Sequence, residues 1–203
     1  MKLDEALSLP EGPERTTAIV AWIQSLFDQG TDVPVLVGGA AVEIFTGGAY
    51  TTGDLDFVGS VPRPIGAILE SNGFDRAGRH WIHREGEVFV EFPGASLGPD
   101  ERPVRYSAFG HEVVLVSIED LLVDRLGAWE YWKSGVDGAN AFVLLRRCRD
   151  EIDLQRLKAR ARQAGFEAAM SSLLTFDKKW SSSDPDDESL EQWANRGPQE
   201  MDR

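Results

Sequence analysis

A single cysteine, Cys148, stands in the whole 203-residue sequence. It excludes an intramolecular disulfide and any zinc site built from several thiolates, and it suits a reducing compartment. We read it as a small buried hydrophobe rather than a reactive thiol. Long apolar runs are missing as well: nothing approaches the roughly 20 residues that span a bilayer. The opening MKLDEALSLPEGPERTT has no hydrophobic stretch of the signal-peptide kind. No membrane association and a cytoplasmic location are therefore the expectation. Positive charge is scarce too, 21 Lys and Arg against 34 Asp and Glu, for a formal charge of −13. A broad phosphate-backbone surface would be basic, so extended DNA binding is not expected.

What is present points to a folded chain. Hydrophobic residues make up 42% of the sequence, with ten Phe and six Trp as apolar anchors. That excludes wholesale disorder and allows one generous domain, or one domain with a helical appendage. Negative charge concentrates in residues 184–203, where seven acids face Arg196 and Arg203. This segment reads as an acidic, mobile tail from 181 onward, with a short helical chance at Leu190–Ala194. Basic residues concentrate in 146–162, where arginines and Lys158 alternate with Asp150, Glu151 and Asp153. That pattern is a solvated helix face, or a strip on which a partner could dock.

Periodicity orders the elements. Ile19, Trp22, Ile23, Leu26 and Phe27 predict a helix over 14–28, closed by Gly30. A buried strand follows at 34–37, then a helix over 40–47 and a strand at 55–58. Pro62 and Pro64 open a helix to about Ser71. Strands at 80–84 and 88–92 make a hairpin, and a Gly- and Pro-rich loop runs from Gly94 to Pro103. A second hairpin joins 106–109 to 112–116. Helices over 119–133, 138–149 and 151–164 complete the pattern, the first opened by Ser117 and Asp120 in capping-box spacing. The expected class is α/β (α+β): a mixed sheet flanked by helices over 1–116, and a helical portion over 117–180.

One segment carries chemistry. Gly38-Gly39 ends a strand, and after fourteen intervening residues comes Asp54-Leu55-Asp56-Phe57. Strand residues i and i+2 share a face, so Asp54 and Asp56 present paired carboxylates while Leu55 and Phe57 turn inward. Two such charges side by side are costly without a cation between them, and oxygen ligands suit Mg²⁺. The glycines let backbone N–H groups approach phosphate at the start of the next helix. Glu91 is the lone charge in Val88-Phe89-Val90-Glu91-Phe92, expensive unless it faces a site or a partner. If its strand lies beside that of Asp54 and Asp56, the three acids could bind two Mg²⁺, or one could act as base. The plainer alternatives are a turn-closing Asp54 with an exposed Asp56, and a Glu91 paired with an arginine such as Arg84. His80 and His83 lie three apart on a strand and face opposite ways, a poor metal pair. Trp129 and Trp132 at helical spacing read as core.

Gly38-Gly39, Asp54-x-Asp56 and a lone acid in a later hydrophobic strand resemble the signature of the DNA polymerase β-like nucleotidyltransferase superfamily. Ser117-x-Glu119-Asp120-Leu121-Leu122-x-Asp124-Arg125-Leu126, followed by Asp150-Glu151-Ile152-Asp153-Leu154, resembles the helical portion of its small members. Those include abortive-infection toxin-like and minimal nucleotidyltransferases. The resemblance implies that Asp54, Asp56 and Glu91 are the metal-binding and catalytic acids and that Gly38 and Gly39 form the phosphate loop. Thr52 would steady that loop, and Arg125 would face the triphosphate. It implies Mg²⁺ as cofactor, an NTP such as ATP as substrate, and a tRNA end, a partner protein or a metabolite as acceptor. The alternative is a binding module of the same fold without turnover, for instance one half of a toxin–antitoxin pair. The residues before Asp54 lack the Arg common in antibiotic-modifying relatives, which argues against that substrate class.

Overall fold

The computed structural model describes residues 1–27 and 33–198, so Gly30, Glu200, Asp202 and Arg203 lie outside the described residues. The chain divides into two units, Met1–Ser117 and Ile118–Arg203. The first contains α1 (Leu3–Leu7), α2 (Pro13–Ser25), β1 (Val35–Val37), α3 (Gly38–Thr46), β2 (Asp54–Val58) and α4 (Arg63–Ser71). It continues with β3 (Phe74–Ala77), β4 (His80–His83), β5 (Val88–Gly94), β6 (Pro103–Ala108) and β7 (His111–Val116). The strands form one mixed sheet in the order β3-β4-β5-β2-β1-β7-β6. β2 runs antiparallel to β1 and parallel to β5, and β1 runs parallel to β7.

One face of this sheet is the core. Leu55, Phe57, Val88, Val90 and Trp81 are buried, and Trp22 of α2 stacks on Phe74 with ring centroids 6.1 Å apart. Gln24, also buried, spans two backbone segments: its Nε2 donates to the Pro34 and Val114 carbonyls, and its Oε1 accepts from the Val114 amide. Those bonds satisfy groups whose burial would otherwise be expensive.

Two strands differ from the sequence expectation. β3 is an added strand, paired residue for residue with β4 from Phe74↔His83 to Ala77↔His80. Its Asp-Arg-Ala continuation lacks alternation because this is an edge strand with one inward anchor, Phe74. β6 begins at Pro103, inside the expected loop, because it too is an edge strand, where a proline's missing donor is harmless.

The second unit holds α5 (Ile118–Trp132), α6 (Gly135–Arg147), α7 (Leu154–Ala164), α8 (Glu167–Lys179) and α9 (Asp187–Arg196). Ser134 caps α6, its hydroxyl accepting from the Asp137 amide, so that helix starts three residues before the expected 138. Asp153 caps α7 through the Gln155 and Arg156 amides, which moves that start from 151 to 154.

Up to residue 198 the mobile-tail expectation is corrected, and the helix it allowed at Leu190–Ala194 is present. Asp186 accepts from the Ser189 amide at 2.8 Å and starts α9. Trp193 then stacks on Phe176 at 4.4 Å and meets Trp129 at 4.5 Å, and Trp129 Nε1 donates to the Ala194 carbonyl. Two indoles and a phenyl outweigh the acidic composition that suggested mobility. Trp132 is corrected as well: Trp129 is fully buried, but Trp132 is 83% exposed. Residues three apart on a helix share only part of a face, and Trp132 is the last residue of α5.

The basic strip of 146–162 is largely used within its own unit. Arg146 and Arg149 bind Asp177, Arg156 binds Glu119 and Asp120, Arg160 binds Asp120, and Arg162 binds Glu167. Arg147 and Lys158 are exposed. Arg146, Arg156 and Arg160 are thus tied to buried acids, while Arg147, Arg149, Lys158 and Arg162 keep the expected solvated face. No helix among the described residues is long and apolar enough to cross a membrane.

Candidate functional site

Strand alternation places Asp54 and Asp56 of β2 on the sheet face opposite Leu55 and Phe57. Parallel pairing of β2 with β5 sets Asp54 beside Phe89 and Asp56 beside Glu91. β4 brings His80 next to Glu91, and β1 brings Val37 next to Asp56. The sequence-predicted acids therefore occupy neighbouring positions on one face.

The glycine pair lies against them. Chain reversal from β1 into α3 requires Gly38 at φ +69°, a conformation that disfavours any residue with a Cβ. A Cβ at Gly38 would sit 2.3 Å from Asp56 Oδ2, and one at Gly39 would sit 2.9 Å from Thr52 Oγ1. Both glycines thus leave room for groups that the sequence had marked as functional. Thr52 Oγ1 accepts from the Asp54 amide at 3.5 Å, a long bond at the entry to β2.

Glu43 was not anticipated. It is 2% exposed in α3; its Oε2 accepts from the Thr52 amide at 3.4 Å and its Oε1 from the Thr16 hydroxyl at 3.2 Å. It therefore ties the segment leading to Asp54 to α2 and α3. Its signal was available: it is the lone acid in Gly38–Thr46, the same argument that singled out Glu91. A cavity of about 460 Å³ lies behind that segment, with Arg15, Thr16, Glu43, Thr51, Thr52 and Leu55 among its walls.

Glu91 has a protein partner. Arg79 Nε lies 2.7 Å from its Oε1, and His80 Nδ1 lies 3.7 Å from its Oε2. The expected arginine, Arg84, instead binds Asp75. Register thus gathers three acids, but Arg79 draws the third carboxylate to itself. Among the described residues no three His, Cys, Asp or Glu side chains stand as an assembled metal site. What remains suited to a divalent cation is the Asp54–Asp56 pair. Its ligands are oxygens, and Gly38, carrying no side chain, lets the Asp56 carboxylate pack against the start of α3.

The other expected residues separate cleanly. His80 is on the acid face, while His83 is buried on the other, its Nδ1 accepting from the Gly86 amide and its ring against Phe74. Arg125 belongs to the second unit, where its Nη1 binds Asp137 at 2.7 Å and its Nε binds Asp124 at 3.2 Å. Its forked head is engaged with carboxylates of its own unit.

No family model and no curated protein matches this sequence. Among solved structures, the chain is similar to an antigenic nucleotidyltransferase-like protein from Paracoccidioides brasiliensis. The TM-score is 0.56 at 18% identity, over 86% of this chain and 94% of that one. The mixed seven-stranded sheet with its flanking helices is a nucleotidyltransferase-like fold.

Proposed function

We propose that the chain transfers a nucleoside monophosphate from an NTP to an acceptor hydroxyl, with Mg²⁺ held by Asp54 and Asp56. The observation that carries this reading is the close approach at Gly38: only the absence of a Cβ there lets the Asp56 carboxylate lie against the N-terminus of α3. Backbone N–H groups at such a terminus attract phosphate, and a carboxylate beside it repels phosphate unless a cation intervenes. A site with both features suits an anion that arrives with its metal.

Bound Mg²⁺ would offset the phosphate charge and render the α-phosphorus electrophilic. The amides of Gly38 and Gly39 would orient the phosphates, and Thr52 would hold the approach to Asp54 in place. Glu91, next to Asp56 in the sheet, would accept the acceptor's hydroxyl proton as the new oxygen–phosphorus bond forms. The bond from the α-phosphorus to the bridging oxygen breaks, and pyrophosphate leaves with that electron pair.

The test is incubation of the full chain with labelled NTP and a cell extract, with and without Mg²⁺. Asp54→Ala and Asp56→Ala should each lower label transfer by about a hundredfold or more, while circular dichroism stays unchanged. Equal labelling by either variant, or labelling that chelator does not touch, would refute the assignment. A fold kept for binding alone would take up nucleotide without labelling any molecule.

A further inference from the structure

We propose that the cavity behind Thr51 and Thr52 binds a small basic amino acid, with Glu43 meeting an ammonium group and Arg15 the carboxylate. The site is separate from the acid pair and does not rest on the transferase reading. Leu55 and Val88, near the starts of β2 and β5, form its sheet wall, and α2 contributes Arg15, Thr16 and Ile19. Strand alternation turns Leu55 away from Asp54 and Asp56, so the cavity opens on the other face of the sheet. At about 460 Å³ it has the size of a small-ligand site.

Two opposite charges in its walls do not meet. Glu43 is 2% exposed, yet its carboxylate receives neutral donors only, the Thr16 hydroxyl at 3.2 Å and the Thr52 amide at 3.4 Å. Among the described residues no Lys, Arg or His nitrogen lies within 4.0 Å of it. Neutral donors occupy lone pairs without offsetting the charge, which is costly at such burial. Arg15, 17% exposed, donates from Nη2 to the Gly86 carbonyl at 2.7 Å. Its Nη1 reaches the exposed Glu11 only at 3.9 Å, and its Nε is buried without a hydrogen-bond partner. A guanidinium fork is best filled by a carboxylate that accepts two of its bonds. A ligand that carries both charges offsets each wall group with its opposite.

The balance of charge selects among such ligands. Glu11 and Glu87, both exposed, also line the cavity, so acids outnumber the arginine. A molecule with a surplus ammonium group, as in lysine, therefore suits the walls better than a neutral amino acid.

Isothermal titration calorimetry of the full chain with L-lysine, cadaverine and L-norleucine tests this. Cadaverine keeps both ammonium groups of lysine and lacks the carboxylate; norleucine lacks the side-chain ammonium. Wild type should bind lysine about tenfold more tightly than either. Arg15→Gln should bring lysine down to the level of cadaverine and leave cadaverine within about twofold of wild type. Glu43→Gln keeps the shape and an acceptor oxygen, and should weaken all three by about tenfold with circular dichroism unchanged. No saturable uptake of lysine by wild type, or uptake that Glu43→Gln leaves intact, overturns the site. A lysine–cadaverine gap that survives in Arg15→Gln overturns the carboxylate role, and norleucine binding equal to lysine overturns the basic ligand. Should Glu43→Gln fail to fold, the Arg15→Gln comparison decides. Asp54→Ala should bind lysine as wild type does; loss of binding there would move the ligand to the acid face and overturn the separate site, whereas failure of nucleotide transfer leaves it untouched.

Discussion

Asp120, in the helical unit, has no exposed side-chain surface and binds both Arg156 and Arg160. Asp54, in the sheet unit, is exposed at the start of β2, and Glu91, beside Asp56 on the next strand, holds an arginine that is itself mostly in solvent. A buried carboxylate needs fixed partners of its own, cations for Asp120 or hydrogen-bond donors for Glu43, because a charge without them is costly in a low dielectric. An acid at a solvated strand end can wait for a cation from outside. The second unit uses its acids to join helices; the first displays its acids beside a glycine turn. Charge content alone does not distinguish these uses, and burial and partner geometry do.

Substitution of the two aspartates should separate the units most strongly. Asp120→Ala removes the buried carboxylate that Arg156 and Arg160 share and should cost about 3–5 kcal/mol, read as a lower urea midpoint. Asp54→Ala should stay within about 0.5 kcal/mol of wild type. Equal losses would erase the contrast between a structural and a displayed acid.

A second contrast lies inside the helical unit. Trp193→Ala should cost about 3 kcal/mol, because it removes the ring between Phe176 and Trp129. Trp132→Ala, on an exposed ring, should cost under about 0.5 kcal/mol. If the Trp193 variant melts with wild type, α9 contributes nothing to its unit.

The smallest effect concerns pH. Burial, with Glu151 adding to it, pushes the Cys148 thiol up from 9.0 to about 11. The unfolded chain then loses this proton first, so the thiol's contribution is complete below about pH 9 and is lost as pH rises towards 11. Unfolding free energy compared at pH 8 and pH 10 should fall more in wild type than in Cys148→Ala. Parallel falls in the two proteins would assign the change to other groups.

The acid face was legible because it rests on short-range rules. Two aspartates at i and i+2 must share a strand face, and two glycines before a helix leave room for something large. The order of strands and helices followed from apolar runs and turn residues, and the mixed sheet from the family resemblance. What escaped depends on long-range pairing. β3 carries one inward residue, so nothing in Phe74–Ala77 alternates, and only β4 makes it a strand. The arginine that meets Glu91 could not be chosen among Arg76, Arg79 and Arg84 without the hairpin register; Arg84 was the expectation and Arg79 the outcome. α9 was hidden by its acids, because composition does not reveal that Trp193 finds Phe176 seventeen residues back. Glu43 was legible too, as the lone acid of the apolar helix after the glycine pair, by the rule that marks Glu91.

The central claim is that Asp54 and Asp56 hold a divalent cation against a nucleotide beside the Gly38-Gly39 turn. Crystals of the full chain grown with Mn²⁺ and a non-hydrolysable ATP analogue test it most directly. The account predicts an anomalous scattering peak about 2.0–2.3 Å from an oxygen of each aspartate, with phosphate oxygens completing the shell. A clear nucleotide density with no peak at these carboxylates, or a peak elsewhere that leaves Asp54 and Asp56 untouched, would contradict it.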